Sequence, residues 1–142
     1  MKILVATDGS KNALRAVKYA AELLKNTADK TKSITLISVH DDAGLRHAKA
    51  FVGKDAVADY LRELSEKELK SAMKVLNDQG IKHDMVMLVG NAAQEIVALG
   101  QKGKFDMIVL GSKGRSAIAD MLLGSVAQRV LTQAKQPVAI VK

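Results

Sequence analysis

The chain has no cysteine and no tryptophan, a single proline, and only two phenylalanines and two tyrosines among its 142 residues. Without cysteine there is no disulfide framework, no thiol nucleophile and no thiolate zinc site, which suits a reducing compartment. Aromatic residues at 3% leave the core to aliphatic side chains and provide no cluster on which nucleobases could stack. No apolar run approaches the ~18 residues of a membrane span. The first apolar stretch, Ile3 to Ala6, ends at Thr7 and Asp8, too soon for the core of a signal peptide. The expected location is therefore cytoplasmic, with no membrane partner.

A formal charge of +7 and a pI near 9.7 raise the question of a polyanionic partner. The cations are spread, however: residues 1–71 carry 13 Lys and Arg against 10 Asp and Glu, and residues 72–142 carry 9 against 5. With no dense basic tract, a solvated basic surface is the simpler reading, and nucleic acid is not the expected main partner.

Apolar residues at 48% and charged residues at 26% are the balance of one globular domain, taken here as residues 1–142. The pattern alternates between strand and helix. "KILVAT" is a short apolar strand, "DGS" a turn, and Leu14, Val17, Ala20, Ala21 and Leu24 follow at helical spacing. "SITLISVH" is a second strand. From about Asp55 to Gln79 the residues Val57, Leu61, Leu64, Leu69, Met73 and Leu76 keep to one helical face, and Gly80 stops that helix.

A third strand over 82–89 alternates polar Lys82 and Asp84 with Met85 and Met87, as an edge strand does, with the methionines expected to fill core space. Asn91 and Gln94 read as a capping pair for a helix ending near Gly103. "FDMIVLG", a helix over 125–134 and "PVAIVK" complete the chain, with Pro137 at the start of the last strand, where its missing N–H costs least. Near-continuous aliphatic strands separated by helices indicate an α/β fold: a five-stranded parallel, doubly wound, Rossmann-like sheet with helices on both faces.

In such sheets ligands bind beyond the carboxyl ends of the strands, where the strand order reverses. That points to the loops after strands one and four. The first holds Asp8, Gly9 and Ser10; the second opens "GSKGRSAIADMLLGS", Gly111 to Ser125, with three glycines, two cations and several small polar residues. Backbone amides of Gly111 to Gly114 can turn outward, the helix beginning near Gly124 and Ser125 offers free N–H groups and a positive dipole end, and Lys113 and Arg115 add charge. Ser125 can cap that helix or donate its hydroxyl, and Leu122 and Leu123 are expected to pack the loop onto the body. These are the parts of a phosphate cradle; a glycine-rich loop with two solvated cations is the alternative on local physics alone.

Gly111-x2-Gly114-x9-Gly124-Ser125 resembles the nucleotide-binding signature G-x2-G-x9-G-[ST] of the ATP-binding universal stress proteins. "ILVATDGS", "ITLISVH" and "QPVAIVK" are similar to that family's first, second and last strands, so the resemblance spans nearly the whole chain. It implies strand order 3-2-1-4-5 and ATP lying across the ends of strands one and four. On that resemblance Asp8 contacts the nucleoside and backbone near Val39 lines the adenine pocket above Ala6 and Thr7. Gly111, Lys113, Gly114, Gly124, Ser125 and Val126 would surround ribose and phosphates. Mg²⁺ or Mn²⁺ would be held through the phosphate oxygens.

Many ATP-binding members have arginine where this chain has Lys113, a point charge without a bidentate fork, and Arg115 is the neighbour that could compensate. The resemblance also implies a homodimer through the last strand, Val138–Val141, whose open aliphatic edge needs a cover.

Asp8 has a second reading, as a cap of the first helix shared with Ser10. His40, His47 and His83 lack ligand spacing and read as surface or strand-end residues, so no protein metal cage is expected. No G-x4-G-K-[ST] loop is present, because Gly53-Lys54 and Gly103-Lys104 are followed by Asp and Phe, and no general base stands out beside the phosphates. A receiver domain would need aspartate at the end of strand three, where this chain reads "MLVG". The expected activity is thus a regulatory ATP-binding module acting on a downstream protein. A slow ATPase or self-phosphorylating enzyme, a nucleotide-independent interaction protein and a basic nucleic-acid scaffold stand as alternatives.

Overall fold

The computed structural model describes residues 1–41, 53–114, 120 and 122–142. Five strands, β1 (Lys2–Ala6), β2 (Ser33–His40), β3 (His83–Val89), β4 (Met107–Gly111) and β5 (Val138–Val141), form one parallel sheet in the order 3-2-1-4-5. Four helices are described: α1 (Lys11–Lys25), α2 (Lys54–Asp78), α3 (Ala92–Lys102) and α4 (Ser125–Gln133). No helix among the described residues is long and apolar enough to cross a membrane.

Alternation along the strands sends Ile3, Val5, Ile34, Leu36 and Val109 into one core with α1 and α2. Leu4, Ile37, Ile108 and Leu110 enter a second core with α3 and α4. β1 and β4, in the middle of the sheet, are therefore apolar on both sides, which is why their sequences read as aliphatic runs, whereas β2 places buried Thr35 and Ser38 among its aliphatic residues.

Helix starts follow local chemistry. Ser10 accepts a hydrogen bond from the Ala13 amide (3.2 Å) at the start of α1, and Asn91 accepts from Gln94 N (3.1 Å) at the start of α3. Gly80 adopts φ +64° just beyond α2, a conformation side chains resist.

The buried stripe of α1 is Ala13, Ala16, Val17, Ala20, Ala21 and Leu24, leaving Leu14 only half-buried. Alanine at the centre of the stripe lets the helix backbone approach the sheet closely. On α2 the stripe includes Ser65 and Glu68, while Leu64 and Met73 flank it half-buried.

Met85 and Met87 do not fill the core: they are 48% and 38% exposed. β3 is an edge strand, and α2 packs over β2 more than over β3, so that face of β3 is incompletely covered. Met107 is half-buried against the first core, as expected of a strand filler.

Candidate functional site

The strand order reverses between β1 and β4, and their carboxyl ends open into a cleft lined by the loops that follow both strands. β1 ends at Ala6 and leads into Thr7, Asp8, Gly9 and Ser10. Gly9 takes φ +76°, the Thr7 hydroxyl oxygen accepts from Gly9 N (3.3 Å), and Asp8 Oδ1 accepts from Ser10 N (2.9 Å). Ser10, rather than Asp8, is the cap of α1. Asp8 instead braces the turn and directs Oδ2 across the cleft, so close to Gly114 that a Cβ there would lie 2.7 Å from it.

The loop after β4 is pinned at its base. Ser112, buried, donates its amide to the Val141 carbonyl (2.8 Å) and accepts from Gly124 N through its own carbonyl (2.7 Å). One of the amides expected to face a ligand is thus committed to β5, and the cradle begins at Lys113. Across it stands the N-terminus of α4, whose cap position is Gly124, with no side-chain hydrogen bond to the first-turn amides. Ser125 is the first helical residue and exposed, so it does not cap α4; it lines the cleft.

The three signature glycines have different reasons to be glycine. A Cβ at Gly111 would lie 2.8 Å from the Asn12 carbonyl carbon and 3.0 Å from Ala13 N, backbone that cannot yield cheaply. A Cβ at Gly124 would meet only ordinary contacts, 3.5 Å from Lys113 Cα and from the Ser112 carbonyl oxygen, and its φ of −70° suits any residue. The fold does not require glycine at 124. A Cβ there would stand in the cradle between α4 and Lys113, the space an anionic group would take against the helix amides, so the residues present fit a phosphate.

Opposite the cradle the cleft is apolar, lined by Ala6, Ile37, Val39, Ala92, Ile96 and Leu110. Val39 belongs to β2, whose register with β1 runs only to the Ala6–Ile37 pair. Ile37 O accepts from Thr7 N (2.9 Å) on the β1 side, whereas His40 O accepts from Gly90 N (2.9 Å) on the β3 side. Backbone groups alternate in direction along a strand, so Val39 turns its N–H and C=O toward the end of β1, beyond the last β1 residue in register, beside the cleft.

Of the sequence-expected site residues, Ala6, Thr7, Asp8, Val39, Gly111, Lys113, Gly114, Gly124, Ser125 and Val126 all line this cleft, and Arg115 lies outside the described residues. His47 also lies outside them. Leu122 is 88% exposed and does not pack the loop onto the body; Leu123 does so, against the second core. Sequence reading missed several other lining residues, among them Ala13, Ala92 and Ile96, small or aliphatic residues at helix starts and inner faces whose type signals only core packing.

Comparison with known proteins agrees with this geometry. The family model described as "Universal stress protein family" matches residues 1–142. The chain is similar to Universal stress protein MJ0531 of Methanocaldococcus jannaschii, 35% identical over 141 residues and covering 99% of this chain and 81% of that protein. It is 31% identical to MJ0577 of the same organism over 155 residues, covering 99% and 94%. The solved MJ0577 structure superposes with a TM-score of 0.86 at 29% identity, over 99% of this chain and 94% of that one. A universal stress protein solved in complex with cAMP superposes with a TM-score of 0.73 at 26% identity, over 100% and 97%. Sequence, strand order and the match along the full length lead to one assignment: the chain belongs to the universal stress protein family.

Proposed function

We propose that this protein is a regulatory ATP-binding module, with the nucleotide lying across the ends of β1 and β4. The observation that carries the reading is the meeting, in one cleft, of an apolar compartment beside Val39 with a cradle formed by Lys113 and the first-turn amides of α4 that follow Gly124. The compartment suits a purine; the cradle suits phosphates. Asp8 stands between them, within reach of a ribose. Mg²⁺ or Mn²⁺ would enter on the phosphate oxygens and neutralise charge there.

Occupancy acts by satisfying the backbone of the Gly111–Ser125 stretch, and so alters how that surface meets a downstream protein. Such a switch works only to the extent that nucleotide binds the two arrangements differently. The working unit is a cytoplasmic homodimer paired through β5.

The test is calorimetric titration of nucleotide-free protein with ATP and Mg²⁺, beside a Gly114→Ala, Gly124→Ala double variant. Micromolar or tighter binding, lost in the folded variant, is the expected result. No binding by folded wild type would turn the reading to a nucleotide-independent interaction protein. A second ligand is favoured by the relative solved with cAMP: the same titration with cAMP tests whether a single cyclised phosphate suffices in the cradle.

A further inference from the structure

Val39 lies between Ser38 and His40 on β2, and both neighbours turn away from the cleft to the opposite face of the sheet, under α2. Ser38 is fully buried and donates its hydroxyl to Glu68 Oε2 (3.1 Å), with Ser65 Oγ 3.3 Å away. His40 Nε2 donates to the same Oε2 (2.9 Å). Glu68 projects from the middle of α2, and its side chain is only 2% exposed. Taking a carboxylate out of water is costly, and the cost is offset only where charge-assisted hydrogen bonds hold it. One buried oxygen therefore fastens the residues immediately before and after Val39.

We infer that Glu68 is a positioning residue for the nucleobase: acting through Ser38 and His40, it fixes the Val39 peptide groups that face the cleft. The inference rests on the nucleotide reading above. β2 needs such a fastening at this point because β1 has already ended, so the ladder that holds Val5 against Leu36 and Ala6 against Ile37 no longer restrains it on that side. β3 still pairs there, but β3 is an edge strand. A backbone N–H and C=O side by side match adenine, which offers an acceptor ring nitrogen next to a donor amino group. Guanine offers the reverse at the same two atoms, so fixed peptide groups discriminate and loose ones do not. The reach is short: Glu68 never touches the ligand, and the sheet separates them.

The experiment compares ATP and GTP, which share the triphosphate and differ in the base, in titrations of wild type and Glu68→Gln. The amide preserves the shape of the side chain while removing the charge that both donors share. We expect ATP affinity to fall about tenfold in Glu68→Gln, the loss of roughly one charge-assisted hydrogen bond, with GTP affinity changed by less than about twofold. In the nucleotide-free protein the Val39 amide resonance should move more than those of Gly111 and Gly124. A side chain that merely stabilised the domain would weaken both nucleotides together.

Ser38→Ala keeps the carboxylate and removes one anchor; it carries the same expectation at about threefold, and decides the matter should Glu68→Gln not fold. A wild-type ATP to GTP ratio near one, or a ratio that survives the substitution, overturns the role of Glu68 and leaves the nucleotide reading standing. Folded wild type that binds neither nucleotide overturns that reading, and this role with it.

Discussion

Gly111, the last residue of β4, presses its Cα against the first turn of α1, where an added methyl would lie 2.8 Å from the carbonyl carbon of Asn12. The first glycine of the nucleotide signature thus serves the packing of helix on sheet. Gly111→Ala should lower stability by ~1–3 kcal/mol through overpacking, because both sides of the contact are backbone. Urea unfolding of the variant checks this; a midpoint equal to wild type would mean that α1 shifts without cost.

Gly124 makes the opposite case. It occupies the N-cap position of α4 with extended backbone, φ −70° and ψ 161°, and a Cβ meets nothing closer than 3.5 Å. A serine hydroxyl there can accept from the first-turn amides, so Gly124→Ser should raise stability by a few tenths of a kcal/mol. The same hydroxyl would compete with phosphate for those amides, and ATP affinity should fall about tenfold, the equivalent of ~1.4 kcal/mol. Thermal unfolding and titration on one sample read both effects, and a gain in stability without loss of ATP binding would remove α4 from the cradle.

These two glycines look alike in the sequence because only spacing and composition are visible there. What was legible was whatever depends on neighbours in the chain: aliphatic runs as parallel strands, Ser10 and Asn91 as caps, Gly80 as a stop, and the two loops at the point of strand reversal. The exposure of Met85 and Met87 was not, because it depends on how far α2 extends over the edge strand. Nor was the exposure of Leu122, which lies inside the loop that the bond from Gly124 N to Ser112 O closes at its base. Glu68 was hidden for the same reason: on a helix, one glutamate among Glu63, Glu66 and Glu68 becomes special only once Ser38 and His40 arrive from another strand.

At the amino-terminal end of the sheet, Asp29 meets the ammonium group of Met1, and its Oδ1 accepts from both the amide and the hydroxyl of Thr31 (2.7 Å each). The ammonium first, then Thr31, hold the Asp29 carboxyl well below its usual 3.8. A depressed carboxylate stabilises the fold above its unfolded pKa, and that contribution fades as pH falls from about 4 toward the folded value. The site is exposed and screened, so the effect is modest. Asp29→Asn should therefore flatten the decline of stability between about pH 4 and 2.5, measured by urea unfolding at each pH; an unchanged slope would place the acid sensitivity elsewhere.

The other edge of the sheet bears on assembly. Among the described residues β5 pairs only with β4, through Val138 to Ile108, Ala139 to Val109, Ile140 to Leu110 and Val141 to Gly111, and no described strand pairs with its other side. All four residues of β5 are half-buried rather than buried, an aliphatic edge of the kind that joins another chain unless charge or a covering element prevents it. Two-fold antiparallel pairing of β5 with its copy would extend the sheet to ten strands and cover Val138 and Ile140 together. Ile140→Lys sets like charges near the two-fold axis and should give a monomer by light scattering, with the circular dichroism of the fold retained. Because Val141 O also accepts from Ser112 at the base of the cradle, separation of the protomers should weaken ATP binding by about twofold to fivefold, the size of a small change in positioning rather than loss of a contact. A dimer that persists in Ile140→Lys would locate the subunit contact on another surface.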